Sequence, residues 1–254
     1  MFRDPAASDV DDVVSEPESF ASFIEKWQAR WPEWHIAATF VPQSQRDIAK
    51  AWFALRQELT DAAWGGQDPR PGEAKLAWWA EELLGWSQGR RRHPLGIALQ
   101  RLPAAWPLLA TCLPALRASR ERQADAEQAI ATLEPFAEAV AGIAASLFAS
   151  QTPAPAASVV VGLLAEQLLQ VGEPAVPLHV RARIGQAGPP EEIARHWAGE
   201  LLQRWPTPRE GSRPGRIQAA LVRTRLQQFA SGGPGDVPRP HWTVLFTAWR
   251  AARG

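Results

Sequence analysis

The stretch FVPQSQRDIAKAWFALRQELTDAAW, residues 40–64, decides the fold. Its apolar side chains recur at Ile48, Trp52, Leu55, Leu59 and Ala62 in alternating steps of four and three, the spacing of one face of an α-helix. A helix from Gln43 to Trp64 is expected, closed by Gly65-Gly66. Near its end stand two acids three positions apart, Glu58 and Asp61. They are either a metal-binding or proton-transfer pair, or the wet side of the helix. On a wheel of about 100° per residue, Asp61 lies roughly 140° from the middle of the apolar stripe and Glu58 about 80°. If either acid faces the interior, it is Glu58.

The same periodicity continues on both sides of this stretch. Helices are expected over 18–31, 72–86, 94–102 and 103–117, then a long one reaching Phe148, then 158–171, 190–205, 213–230 and 241–252. The first is opened by Ser15-Glu16-Pro17-Glu18 and the third by Pro71. Loops are expected between Trp31 and Pro42 and from Gly172 to Gly188. Alanine and leucine are abundant, and strand-like alternation is hard to find, so the chain is all-α. No period of 20–50 residues repeats, which excludes a solenoid. The 254 residues suffice for a sizeable core. The organisation expected is an acidic, disordered segment over 1–16 and one helical domain over 17–254.

Lys+Arg and Asp+Glu are equal at 27 each, so no overall field draws the chain to nucleic acid, and no nucleic-acid partner is expected. Cys112 is the one cysteine, which excludes an internal disulfide framework and multi-cysteine metal sites. The N-terminus lacks the basic and apolar regions of a signal peptide, and a cytoplasmic location is expected. Apolar runs such as AVAGIAASLF fall short of the roughly 18 residues that span a bilayer. Peripheral membrane contact is the most that they imply. Thirteen tryptophans and no tyrosine point chiefly to core packing.

Phosphate-cradling glycine loops, GxSxG, HExxH and CxxC are all absent, and the five histidines are scattered. The segment GRRRH, 89–93, is either an anion-holding loop or a solvated run of arginines. Two blocks are more specific. In the first, Pro42, Arg46, Ala51, Phe53 and Ala54 stand before Glu58 and Asp61; in the second, KLAWWAEELLGWSQGRRRHPLGIAL (75–99), Lys75, Leu76, Trp79, Glu82, Gly89, His93 and Pro94 fall at fixed spacing.

Together these blocks resemble the squalene and phytoene synthase family. Weaker likeness continues through SRERQADAEQ (119–128), GLLAEQLLQVGEP (162–174) and the last two helices, covering the chain from Ser19 onward. The resemblance implies an isoprenoid synthase-like helical bundle around a central cavity. It also implies a head-to-head joining of two prenyl diphosphates, in which Mg²⁺ held by aspartates on two facing helices stabilises the leaving diphosphate. Carried over by position, Arg46, Phe53, Lys75, Trp79, Glu82 and His93 would bind substrate, and Glu58 and Asp61 would be the remnants of the first acidic motif.

The motif itself has decayed. Where the family carries Asp-Asp-x-x-Asp, this chain has Thr60-Asp61-Ala62-Ala63-Trp64, and the second acidic block offers only Glu166 and Glu173. No metal ligand set is therefore assigned, and Mg²⁺ is expected only if the chain is an active enzyme. Glu58-Leu59 and Trp78-Trp79 are also similar to a branch that includes a mitochondrial complex I assembly factor. Three readings stand open. The chain binds an isoprenoid or lipid without the usual condensation; it is an active prenyl transferase with a metal site rebuilt from Glu58, Asp61, Glu82 and Glu166; or it is an assembly protein that engages a protein partner and no ligand.

Overall fold

Short polar side chains set where the helices begin. Ser19, Asp68, Asp125 and Ser212 each accept a hydrogen bond from a main-chain N–H of the first turn that follows, satisfying donors that have no partner inside the helix. The computed structural model describes residues 19–184, 188–206, 210–234 and 239–253. The segment 1–16, with its expected disorder and its capping Ser15, lies outside them. Within the described residues every regular element is helical: α1 Phe20–Arg30, α2 Trp34–Ala37, α3 Arg46–Trp64, α4 Pro69–Ser87, α5 Gly96–Leu99, α6 Trp106–Ala118, α7 Ala126–Leu147, α8 Ala156–Val171, α9 Leu178–Ile184, α10 Pro190–Gln203, α11 Arg213–Ala230 and α12 His241–Arg253.

Two expectations are corrected. The supposed loop after Trp31 contains α2, and the supposedly irregular stretch after Gly172 contains α9. Both are only one or two turns long, too short to show an apolar repeat. The cap of α1 is Ser19, and α4 starts at Pro69 rather than near Pro71.

α3 is the axis of the molecule. Its expected stripe is buried at Trp52, Leu55, Leu59 and Ala62, but so are Phe53, Gln57, Glu58 and Thr60 on other sides. α1, α4, α6 and α8 all pack against it, so beyond the exposed Asp47 at its start no residue of this helix is exposed. The α3–α4 approach is close enough that a Cβ on Gly72 would lie 2.1 Å from the main-chain oxygen of Ala62. Nine of the thirteen tryptophans are buried, as core packing requires. Trp27, Trp34 and Phe53 form one cluster and Trp52, Trp86 and Trp106 another.

α7 spans 22 residues and is long and apolar enough to cross a membrane by length and composition, although the apolar run AVAGIAASLF within it is shorter. Here it packs between α6 and α8.

Candidate functional site

Phe53, Arg56, Gln57 and Thr60 share one side of α3, and this side faces two large cavities, Phe53 and Arg56 lining both and Gln57 and Thr60 the second. One, of about 890 Å³, lies between α3, α7, α8, α11 and α12. The other, of about 910 Å³, is bounded by α1, α3, α8, α10 and α11. Phe53, Arg56, Glu166 and Gln218 line both, so the cavities meet at a polar junction.

The junction is a short chain of hydrogen bonds. Arg56 Nη2 donates to Glu166 Oε2 at 3.5 Å, Gln218 Nε2 donates to Glu166 Oε1 at 3.3 Å, and Trp34 Nε1 donates to Gln218 Oε1 at 2.7 Å. Four atoms of wall residues, Arg56 Nε, Gln57 Oε1, Ser158 Oγ and Arg223 Nε, are buried without a protein partner. Such orphaned groups are costly unless water or a ligand satisfies them. The wall of the first cavity otherwise consists largely of small and apolar groups such as Ala141, Ala144 and Gly162, whereas the second adds the charged side chains of Arg30, Glu191, Arg195 and Arg225. Chemically, the space suits a long apolar body with a polar end.

Of the residues expected at a site from sequence, Phe53 lines both large cavities. Glu58 does not face them: it lines a separate pocket of about 330 Å³ with Lys75, Trp79 and His93. Only 2% exposed, Glu58 accepts from Lys26 Nζ at 2.7 Å and Lys75 Nζ at 2.6 Å. Burial alone would raise its pKa, but the two ammonium groups outweigh burial and hold it below the ordinary carboxylate value. Asp61 accepts from Arg30 Nη1 at 2.6 Å and from Gln170 Nε2 at 3.2 Å. Both partners line the second large cavity, so Asp61 stands behind its rim.

Glu82, also 2% exposed, holds the link after α4 in place. Its Oε1 accepts from Trp86 Nε1 and from the main-chain N–H groups of Arg92 and His93, each at 2.8 Å, and its Oε2 accepts from Arg92 Nε at 3.1 Å. Burial pushes this carboxyl up, but the four donors bring it below its usual pKa. Arg90, Arg91 and Arg92 are all exposed, as a solvated run would be, and Arg92 is in addition tied to Glu82 and lies 5.0 Å over the Trp78 ring.

His93 sits among Phe23 and Trp79, with ring centroids at 4.4 Å from each. Burial there lowers its pKa to about 4, against the pull of Glu58 and Glu82. It is therefore neutral near pH 7, and its Nδ1 accepts from the Leu95 N–H at 3.1 Å. Arg46, expected to bind substrate, instead donates to the main-chain oxygens of Val41 and Thr39 and braces the turn before α3. Lys75, Trp79 and His93 thus come together, but around the small pocket and away from the junction, with Glu82 bonded to the His93 main chain beside it.

Arg56, Gln57, Ser158 and Gln218 were missed as site residues. The positions 53, 56, 57 and 60 recur as i, i+3, i+4 and i+7, a signal hidden because Arg, Gln and Thr do not read as one stripe.

The acids present do not fit a magnesium cluster, which needs several oxygen donors at about 2.0–2.1 Å from each ion. Those of Glu58 and Asp61 are bound to Lys26, Lys75 and Arg30. Glu82 pairs with Arg92 and Glu166 with Arg56. Glu173 is held by Arg122 at 2.9 Å through both oxygens and by Arg181 at 3.3 Å. Among the described residues no group of three or more His, Cys, Asp or Glu gathers as an ion's ligands would.

A family model described as squalene/phytoene synthase matches residues 32–187, more than half of the 254-residue chain. The match is narrower than the likeness expected from Ser19 onward, since it ends before α10, α11 and α12. No curated protein matches the chain.

Proposed function

The chain belongs to the squalene/phytoene synthase family, and we propose that it uses the inherited cavity to bind an isoprenoid or a related lipid without the usual magnesium-dependent condensation. The observation that carries this reading is the pairing of each candidate ligand acid with a basic side chain, while the space beside Asp61 and Glu166 stays open. Glu58 and Asp61 are neutralised by cations from α1 and α4, and Glu166 by Arg56 of α3. For any of these to bind Mg²⁺, a buried or half-buried ion pair would first have to break. Two adjoining cavities of about 890 and 910 Å³ give room for an extended chain. The unpartnered donors and acceptors at Arg56, Gln57 and Ser158 suit its polar end.

The test is direct. Farnesyl and geranylgeranyl diphosphates are incubated with the protein and Mg²⁺, and both binding and product are followed. Uptake without condensed product is expected; magnesium-dependent turnover would sink the reading. Gly162 gives the matching variant. It lines the first cavity, and a Cβ there meets nothing within 4 Å. Gly162→Trp should fill the space from α8, leave the fold intact, and weaken ligand binding by at least about tenfold.

A further inference from the structure

α12 presents a face that the described residues leave exposed. Trp242, Leu245, Phe246 and Trp249 are exposed by 73%, 50%, 57% and 37%. They lie at i, i+3, i+4 and i+7, within an arc of about 100° on the helix wheel. The opposite side is the packing side, with Val244 and Ala248 buried against the rest of the molecule. A single exposed leucine requires no explanation, but two tryptophans, a phenylalanine and a leucine in one stripe do.

Charge distinguishes the occupants of this face. The segment 239–253 contains Arg239, Arg250 and Arg253, with His241, and no Asp or Glu. By the same wheel, His241 and Arg250 flank the stripe on opposite sides. Arg253 stacks over the Trp249 ring at 4.1 Å at the C-terminal end. Aromatic and aliphatic side chains bordered by cations are the make-up of a helix that lies in the plane of a bilayer surface, its apolar side among the acyl chains and its cations at anionic headgroups. α12 is also a wall of the 890 Å³ cavity, through Phe246, Thr247, Arg250 and Ala251. Four arginines line that cavity (Arg56, Arg216, Arg223 and Arg250) against two acids, Glu166 and Glu210. Phe246 therefore belongs both to the exposed stripe and to the cavity wall.

We infer that α12 docks the protein on an anionic lipid surface and sets the first cavity beside the bilayer. The docking stands on the helix itself; that a lipid then enters the cavity rests on the reading of function given above.

Co-sedimentation with vesicles tests it, comparing phosphatidylcholine vesicles with vesicles containing phosphatidylglycerol. Three proteins are compared: the unaltered chain, the double variant Trp242→Ser/Leu245→Ser, and Arg253→Glu. Neither Trp242 nor Leu245 lines the cavity, and circular dichroism checks that each variant folds. The unaltered chain should partition onto anionic vesicles at least about tenfold more strongly than onto neutral ones, and more weakly as salt is raised. Each variant should lose about tenfold or more of that partitioning.

Equal partitioning of the variants and the unaltered chain would overturn the inference, as would the absence of binding to anionic vesicles. Sedimentation velocity without lipid covers the remaining occupant. A dimer that dissociates in Trp242→Ser/Leu245→Ser would assign the face to a second copy and also overturn it. Prenyl diphosphate binding is measured in parallel without vesicles. A chain that docks but takes up no prenyl ligand loses the cavity reading alone, and one that binds ligand but not vesicles loses the docking alone.

Discussion

At Glu58, the solvated alternative does not hold. The carboxylate is buried, but it is shared between Lys26 and Lys75, so its charge is satisfied by cations from two other helices. Beside it, His93 has a consequence for stability that can be measured. Its pKa in the folded protein is lowered to about 4 from the ordinary 6.5, so the unfolded chain takes up the proton first. Stability from this group is therefore complete above pH 6.5 and falls as pH drops toward 4. Glu58 and Glu82, whose pKa values are lowered, add a second loss that begins only near their ordinary pKa of 4.5 and deepens below it. Denaturant unfolding of the unaltered chain should show a decline of about 2 kcal/mol between pH 6.5 and 4.5. His93→Gln should flatten that interval and keep the steeper loss at lower pH. An unchanged pH profile in the variant would remove His93 as the cause.

Two contacts between helices hold the cavity walls in place. α4 crosses α3 where Gly72 meets the main chain of Ala62, and even one methyl group there would come to 2.1 Å. Gly72→Ala should therefore destabilise the fold by about 2–3 kcal/mol despite the better helix propensity of alanine, read as a lower thermal midpoint. Glu33, at the start of α2, binds Arg225 of α11 through two hydrogen bonds of 2.8 and 2.6 Å, with both side chains buried. Glu33→Ala would leave a buried guanidinium unpaired beside the Trp31 ring, and a loss of about 3 kcal/mol or more is expected in denaturant unfolding. Loss of less than about 1 kcal/mol would mean that Arg225 finds water or another partner.

The long helices were legible because their apolar repeats run for three turns or more: α11 begins and ends at the residues expected, and α3 ends at Trp64. The Glu33–Arg225 pair was not, since its partners are 192 positions apart in the chain. The wall residues Arg56 and Gln57 were hidden for a related reason. A polar residue on a helix that is buried all round has the same local pattern as one facing water, and only the packing of α8 and α11 distinguishes them.

For the molecule as a whole, the acids Glu58, Asp61, Glu82, Glu166 and Glu173 are each paired with a base, and the two large cavities lie open beside Asp61 and Glu166. SRERQ, 119–123, is likewise engaged in contacts within the fold. Arg120 donates to the main-chain oxygens of Ala63, Gly65, Gly66 and Gln67 at the end of α3, and Arg122 holds Glu173 just beyond α8. Cations therefore fix the ends of α3 and α8, the helices that carry Asp61 and Glu166. Calorimetric titration of farnesyl diphosphate into the protein, once in buffer containing Mg²⁺ and once in EDTA, tests this account most directly. Dissociation constants equal within about threefold are predicted, because the protein's acids do not recruit the ion. Binding tightened about a hundredfold or more by Mg²⁺, and reversed by Glu58→Gln or Asp61→Asn, would contradict it.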